Sequence, residues 1–368
     1  MDRRQFITRS VALGTITAIP WSFSLADSTQ SILKLNSNEN PIGMSPKARL
    51  AAQDALKIAH RYGDGIAQKL IAEIAQIEEI SDKMVTLGNG STGILEAVMR
   101  QQALKGATLV QPSVTYGDAS WFAKTANMPQ VKVPMLDGFK MDMRSIEAES
   151  LKIKGPVIIY LVTPNNPTGL LSPFKDIESM VRRAPDNVFF LIDEAYHELV
   201  TDPAYQSCTK LIQEGYKNLI VTRTFSKIFA MAGMRLGYGL AVESVISDIR
   251  RHYSDWSVNV PAVQAGRASL KDEAFKAASL KSNEDAKKIT QRGLEALGLK
   301  YIPTEGNFLI HQIKMDLKAY QKAMFSQGIL VGRDMNLGYG WNRLSLGSPD
   351  EMRRFINTLG EIQERNWS

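Results

Sequence analysis

Short apolar runs, separated by polar turns and amphipathic stretches, set the pattern of most of the chain. Residues 84–87, 107–111, 131–134, 157–162, 188–192 and 218–221 are such runs, each of a length that suits a buried strand. Residues 157–162 are apolar at every successive position, as a central parallel strand covered on both faces requires. Between the runs, residues 67–78, 175–183 and a stretch reaching about Leu104 carry helical spacing, while Ser45-Pro46 supplies an N-cap and first-turn proline for a helix over 47–60. Strands alternating with helices predict a doubly wound α/β sheet. The polar residues gathered after the strands mark its carboxyl ends, where such sheets bind ligands.

Near Asp255 the pattern changes. A long Lys- and Glu-rich helix over 272–296 is followed by strand-like segments at 307–312, 329–331 and 343–346, with helices at 316–327 and 350–361. This predicts a smaller α+β domain joined through a linker near residues 256–261. Residues 33–41 read as an extended segment ended by Pro41.

Composition adds the size class. With 368 residues, 44% apolar and 22% charged, the chain can bury one large and one smaller core. The net charge of +6 has no basic tract behind it, and Asp2, Arg3, Arg4 and Arg9 alone contribute +2, so no nucleic-acid footprint is expected. The four histidines (His60, His197, His252, His311) lack ligand spacing, which argues against a metal site. Cys208 is the only cysteine, so no intrachain disulfide is possible.

The first 26 residues read as an export signal rather than as fold. Arg3-Arg4 in a twin-arginine pattern precedes an apolar stretch from Val11 to about Leu25, and Ser24-Leu25-Ala26 suits a signal peptidase. The stretch is shorter than the ~20 residues a bilayer needs. The expectation is export by the twin-arginine machinery, cleavage near Asp27, and a periplasmic protein with no stable membrane association; a non-functional signal would leave it cytoplasmic.

The strand ends carry the chemistry. After the run at 218–221, hydroxyls at Thr222, Thr224 and Ser226 crowd Lys227, and Arg235 follows eight residues later. A lysine at the mouth of a buried strand is costly unless paired or covalently used. The pattern suits a Schiff base of Lys227 with pyridoxal phosphate, with Thr224, Ser226 and Arg235 on the phosphate. The glycine-rich turn with Gly90, Ser91 and Thr92 opens a helix, another phosphate-binding arrangement. Asp193, directly after an apolar strand, would meet the protonated pyridine nitrogen, and Asn166 and Tyr196 the ring hydroxyl oxygen. Tyr116 would stack on the ring. Taken singly, Asp193 also reads as an N-cap, Asn166 as a turn residue and Tyr116 as core.

These residues, with Asn36-Ser37-Asn38-Glu39-Asn40-Pro41, Asn165-Asn166-Pro167-Thr168-Gly169 and Asp193-Glu194-Ala195-Tyr196, give a chain that resembles the fold-type I pyridoxal-phosphate-dependent aminotransferases. Within them it most closely resembles the histidinol-phosphate aminotransferases, over about residues 33–365. The resemblance implies the pyridoxal-phosphate transferase fold: an arm at 27–50 joining the small domain, a large cofactor domain at 51–255 and a small domain at 256–368. It implies catalytic roles for Lys227, Asp193, Tyr196 and Asn166, and substrate contacts from Arg343, Arg333 and Asn38. It also implies that Tyr62 reaches a neighbouring subunit's cofactor phosphate, hence a homodimer with shared sites. Gly63 replaces the family's proline, Thr92 replaces its usual acidic residue, and the turn before Tyr116 is one residue longer. The expected reaction moves an amino group from histidinol phosphate or an amino acid to a 2-oxo acid such as 2-oxoglutarate. Elimination, racemisation or decarboxylation would use the same lysine motif, and a binding protein without activity would have no need of it. Export favours a donor other than histidinol phosphate in the cell, with histidinol-phosphate activity measurable in vitro.

Overall fold

The computed structural model describes residues 32–63, 65–254 and 257–366; the expected export signal and part of the expected linker lie outside them. All six apolar runs become strands of one seven-stranded sheet. In chain order these are β2 (Val85–Asn89), β3 (Thr108–Pro112), β4 (Gln130–Val133), β5 (Val157–Val162), β6 (Val188–Asp193) and β7 (Leu219–Thr224), after β1 (Leu33–Leu35), which lies elsewhere. A seventh strand, β8 (Leu236–Leu240), completes the order β2-β8-β7-β6-β5-β3-β4 and runs antiparallel to both of its neighbours. The other pairings are parallel. β8 was hidden from pattern reading by its glycines. Gly237 is there because a Cβ would collide with the backbone of Gly90 and Ser91 and with the Arg223 carbonyl.

Helices cover both faces. α1 (Pro46–Ala55) starts as the sequence predicts, with the Ser45 hydroxyl accepting the Ala48 N–H at 3.0 Å. It shares one apolar layer with α2 (Ile66–Ile77), and α3 (Gly90–Leu104) and α4 (Asp118–Thr125) pack in the other. α5 (Met143–Leu151), α6 (Phe174–Arg183) and the short α7 (Thr209–Gln213) join the first layer, and α8 (Glu243–Arg250) joins the second. The register β5–β6–β7 aligns Val162 with Asp193 and Asp193 with Thr222, so these residues share the face of the second layer. Their neighbours Glu194 and Arg223 turn to the other face, where Arg223 pairs with Glu194 at 3.0 Å and with Glu78.

The smaller part is built on α10 (Glu273–Ala296), the antiparallel set β12-β10-β9, and the parallel pair β1–β11. Its strands are β9 (Tyr301–Ile302), β10 (Phe308–Gln312), β11 (Ile329–Val331) and β12 (Trp341–Ser345), covered by α11 (Leu317–Ser326) and α12 (Pro349–Asn366). The packing departs from the expected boundary at residue 256. α9 (Val260–Leu270) buries Ala262, Val263 and Ala265 in the large sheet's first layer, so the changeover falls within α10. The N-terminal segment is divided too: β1 pairs with β11, while Ala48 of α1 lies in the large core.

Candidate functional site

A cavity of about 660 Å³ opens where β5, β6 and β7 end, closed by residues 36–38 from the N-terminal side and by α11, β11 and β12 from the small part. Asp193 lies at its base, 2% exposed. Oδ1 accepts the Ala195 N–H at 3.2 Å, and Oδ2 accepts the Tyr160 hydroxyl at 3.2 Å. Burial pushes the carboxyl up to about 6. The groups acting on it are Tyr160, Thr222, the Ala195 N–H and Asp118, and none of them is a cation.

One side of the cavity gathers donors suited to an anion. α3 begins at Gly90, whose φ of 71° leaves Ser91 and Thr92 in the first turn of a 15-residue helix. Its N–H groups and dipole favour negative charge. Thr224 Oγ1 lies 2.9 Å from Ser226 Oγ and accepts the Ser226 N–H at 3.1 Å. Arg235, itself left-handed at φ 54°, donates to the carbonyls of Ala232 (3.0 Å) and Asn89 (3.4 Å). The Thr92 hydroxyl donates to Asp118 at 3.4 Å, so an acidic group stands beside this turn after all, supplied by α4 rather than by the turn itself.

Lys227 Nζ donates to the Asn38 carbonyl at 3.2 Å and stands 5.4 Å from the Tyr196 ring centroid. The Tyr196 hydroxyl accepts the side-chain amides of Asn38 (3.1 Å) and Asn166 (3.3 Å). Asn38 in turn is fixed by Ser345, whose hydroxyl donates to Asn38 Oδ1 (2.8 Å) and accepts the Asn38 N–H (2.7 Å). Arg343 continues the chain of contacts, donating to Asn166 Oδ1 at 3.0 Å and to the Asn36 carbonyl at 2.6 Å. It is 6% exposed, its Nε has no partner, and neither acceptor is charged. Burial, with Arg333 nearby, lowers its pKa. A buried guanidinium facing a cavity, with only neutral oxygens as acceptors, is a site for an anion from outside. Arg333, Lys322, Phe325 and Leu330 form the outer wall.

Of the residues singled out from sequence, Lys227, Asp193, Tyr196, Asn166, Ser91, Thr92, Tyr116, Thr224, Ser226, Arg235, Arg343, Arg333 and Asn38 all line this one cavity. Gly90 shapes the turn beneath it. Tyr62 does not line it and is 78% exposed on the surface. Sequence reading missed Tyr160, Asp118, Ser345 and Lys322. Tyr160 had a signal: two residues before the end of a buried strand, it shares the face that Val162 and Asp193 occupy.

The sequence matches the model of the family described as aminotransferase class I and II over residues 30–359. The histidinol-phosphate aminotransferase of Brevibacillus brevis is 32% identical over 333 residues, covering 90% of this chain and 90% of that protein. Histidinol-phosphate aminotransferase 2 of Hydrogenovibrio crunogenus is 34% identical, covering 90% of this chain and 88% of its own. Among solved structures, a candidate histidinol-phosphate aminotransferase from Erwinia carotovora atroseptica has a TM-score of 0.89 at 41% identity, covering 92% of this chain and 97% of that one. The histidinol-phosphate aminotransferase of Sinorhizobium meliloti, in complex with pyridoxal-5'-phosphate, has a TM-score of 0.84 and covers 91% of each chain; at 24% identity the likeness is one of fold.

The raised carboxyl makes a measurable claim about the cofactor-free protein. Because Asp193 binds its proton more tightly folded than unfolded, its contribution is favourable at low pH. That contribution is lost as pH rises from the ordinary 3.8 through about 6. Above that window the buried charge costs on the order of 2–3 kcal/mol. Urea unfolding of cofactor-free wild type and Asp193→Asn should therefore diverge across this window, with the variant the more stable at neutral pH. Parallel curves would show that Asp193 carries no such burden.

Proposed function

The chain belongs to the class I and II aminotransferases and is a pyridoxal-phosphate-dependent transaminase, and from that premise we propose how its residues divide the work. The residues present fit the cofactor: a buried carboxylate lacking a cation, an amine at the cavity's base, and a helix N-terminus flanked by hydroxyls and Arg235. When bound, pyridoxal phosphate supplies an aldehyde that takes up the amino group and a ring that accepts the electrons left when a Cα proton departs.

Ser91, Thr92, Thr224, Ser226 and Arg235 hold the phosphate with the first-turn N–H groups of α3. Asp193 keeps the ring nitrogen charged. Asn166 and Tyr196 orient the ring oxygen, and Tyr116 with Ala195 and Val162 excludes water from the ring's surroundings. Lys227 would hold the aldehyde and, with a substrate amine in its place, would serve as the base that moves the proton between Cα and C4′. Its hold on the Asn38 carbonyl and the Tyr196 face keeps the amine in the cavity meanwhile.

The buried, uncompensated guanidinium of Arg343 carries the substrate reading. It supports an anionic amino donor and a 2-oxo acid acceptor such as 2-oxoglutarate, held beside the reacting carbon by the same arginine in turn. With Arg333 and Lys322 on the same wall, the site favours a donor with a dianionic group, and the relatives make histidinol phosphate the first to test. The twin-arginine pattern, read as an export signal, favours the other reading, an ordinary amino acid held by Arg343 alone.

Borohydride reduction and peptide mapping should place a pyridoxyl group on Lys227, and Lys227→Ala should abolish both adduct and turnover; the adduct on another lysine would overturn the assignment. In the same preparations, kcat/KM for histidinol phosphate should fall roughly 30- to 150-fold in Arg343→Ala and in Arg333→Ala alike, the loss of about 2–3 kcal/mol of charged hydrogen bonding. A preference for an aromatic or aliphatic amino acid, lost in Arg343→Ala only, would favour the second reading.

We further propose a homodimer, supported by the exposed Leu50, Leu56, Ile58 and Tyr62 on and just after α1. Tyr62 there serves the partner's phosphate site. Mixing inactive Lys227→Ala with inactive Tyr62→Ala subunits should then restore part of the activity through hybrid sites. No recovery, with subunit exchange shown separately, would count against sharing.

Export is proposed on the twin-arginine pattern. Fractionated cells should hold the full chain's product in the periplasm, and a chain beginning at Asp27 in the cytoplasm. Equal cytoplasmic retention of both would refute it.

A further inference from the structure

Tyr160 sits on β5, fully buried in the apolar layer beneath the cavity, among Ile158, Leu191 and Ile220. Its register partner is Leu191, two residues before Asp193, so the ring lies on Asp193's face one step further in. A phenylalanine would fill the same space. The hydroxyl is the part that needs a reason, since a buried hydroxyl without a partner costs free energy. The hydrogen bond the structure gives it is to Asp193 Oδ2, at 3.2 Å.

Asp193 has lone pairs for about four hydrogen bonds. Two donors hold it from the protein side: Tyr160 on Oδ2 and the Ala195 N–H on Oδ1. Thr222, its register partner on β7, stands beside it with a buried hydroxyl that also favours the charged form. Asp118 acts on it with a negative charge, which opposes ionisation. Tyr160 thus donates a side-chain hydrogen bond, at 3.2 Å, that both fixes the carboxylate and favours its charged form.

We propose that Tyr160 is a positioning residue for the reaction: its hydroxyl holds Asp193 in the orientation and charge state that keep the cofactor's ring nitrogen protonated. The inference rests on the reading of Asp193 as that nitrogen's partner. Without the hydroxyl the carboxylate becomes more basic, and the proton it shares with the ring nitrogen moves towards the oxygen. The ring then accepts electrons less well.

The test uses holoenzyme loaded with pyridoxal phosphate carrying nitrogen-15 in the ring. In Tyr160→Phe the ring-nitrogen resonance should move towards the unprotonated position and kcat should fall about tenfold. The donor's KM should stay near the wild-type value, because the interaction acts on the transition state more than on binding. Replacing Tyr160 by a fluorinated tyrosine, a stronger donor of the same shape, should move the resonance the opposite way, and this variant stands if the phenylalanine one folds poorly. Asp193→Asn separates the two ideas. If it shifts the resonance while neither Tyr160 variant does, the tyrosine is structural and the inference fails, whatever happens to Tm. If Asp193→Asn leaves the resonance unmoved, the reading of Asp193 fails and takes the inference with it.

Discussion

A carboxylate buried at the end of β6 with no cation beside it is the constraint on which the rest of the site depends. Asp193 lies in a layer of apolar side chains, and burial, partly offset by its hydrogen bonds, pushes its carboxyl up to about 6. Such a group is tolerated because the parallel strands end together, leaving backbone N–H groups and the side chains of neighbouring strands to meet it. The same ending puts Thr224, Ser226 and Lys227 within one cavity of Asp193, because β7 lies next to β6 in parallel register. In the proposed role of Asp193, a positively charged ring nitrogen would convert the liability into an ion pair. The protein keeps part of its stability in reserve for the cofactor.

The alternation of β6 and β7 explains why two kinds of buried charge coexist in adjacent residues. Asp193 and Thr222 face the cavity side, whereas Glu194 and Arg223 face the opposite layer and neutralise one another there, with Ser207 and Thr209 also bonded to the guanidinium. One step along a strand separates a satisfied ion pair from an unsatisfied carboxylate. That contrast marks which side of the sheet carries chemistry.

Much of this was legible in the sequence. Residues 157–162 and 188–192 could be little else than central strands, and the polar residues after them had to lie at the sheet's carboxyl edge. The lysine, the aspartate and the phosphate turn stand at that edge, and their roles were read from their appearing together and from the family resemblance. β8 was not legible because its reason for carrying Gly237 is the close passage of the Gly90–Ser91 backbone, a neighbour about 150 residues away. α9 was assigned to the smaller part because the change in pattern near Asp255 precedes it, yet its apolar face belongs to α1 and α2. Ser345 escaped notice because it acts only through its two hydrogen bonds to Asn38, a residue 307 positions away, and Tyr160 because its hydroxyl sits in an otherwise apolar strand.

The bond between Asn38 and Ser345 spans 307 positions of sequence. Asn38 also holds the Tyr196 hydroxyl, and its carbonyl receives Lys227. On the ribosome Asn38 emerges 307 residues before Ser345. The large sheet can form before then, but the enclosure around Lys227 is closed only when β12 is made. Cofactor capture in its final form therefore waits for β12, and any fragment ending before it would have the lysine without the walls that hold it.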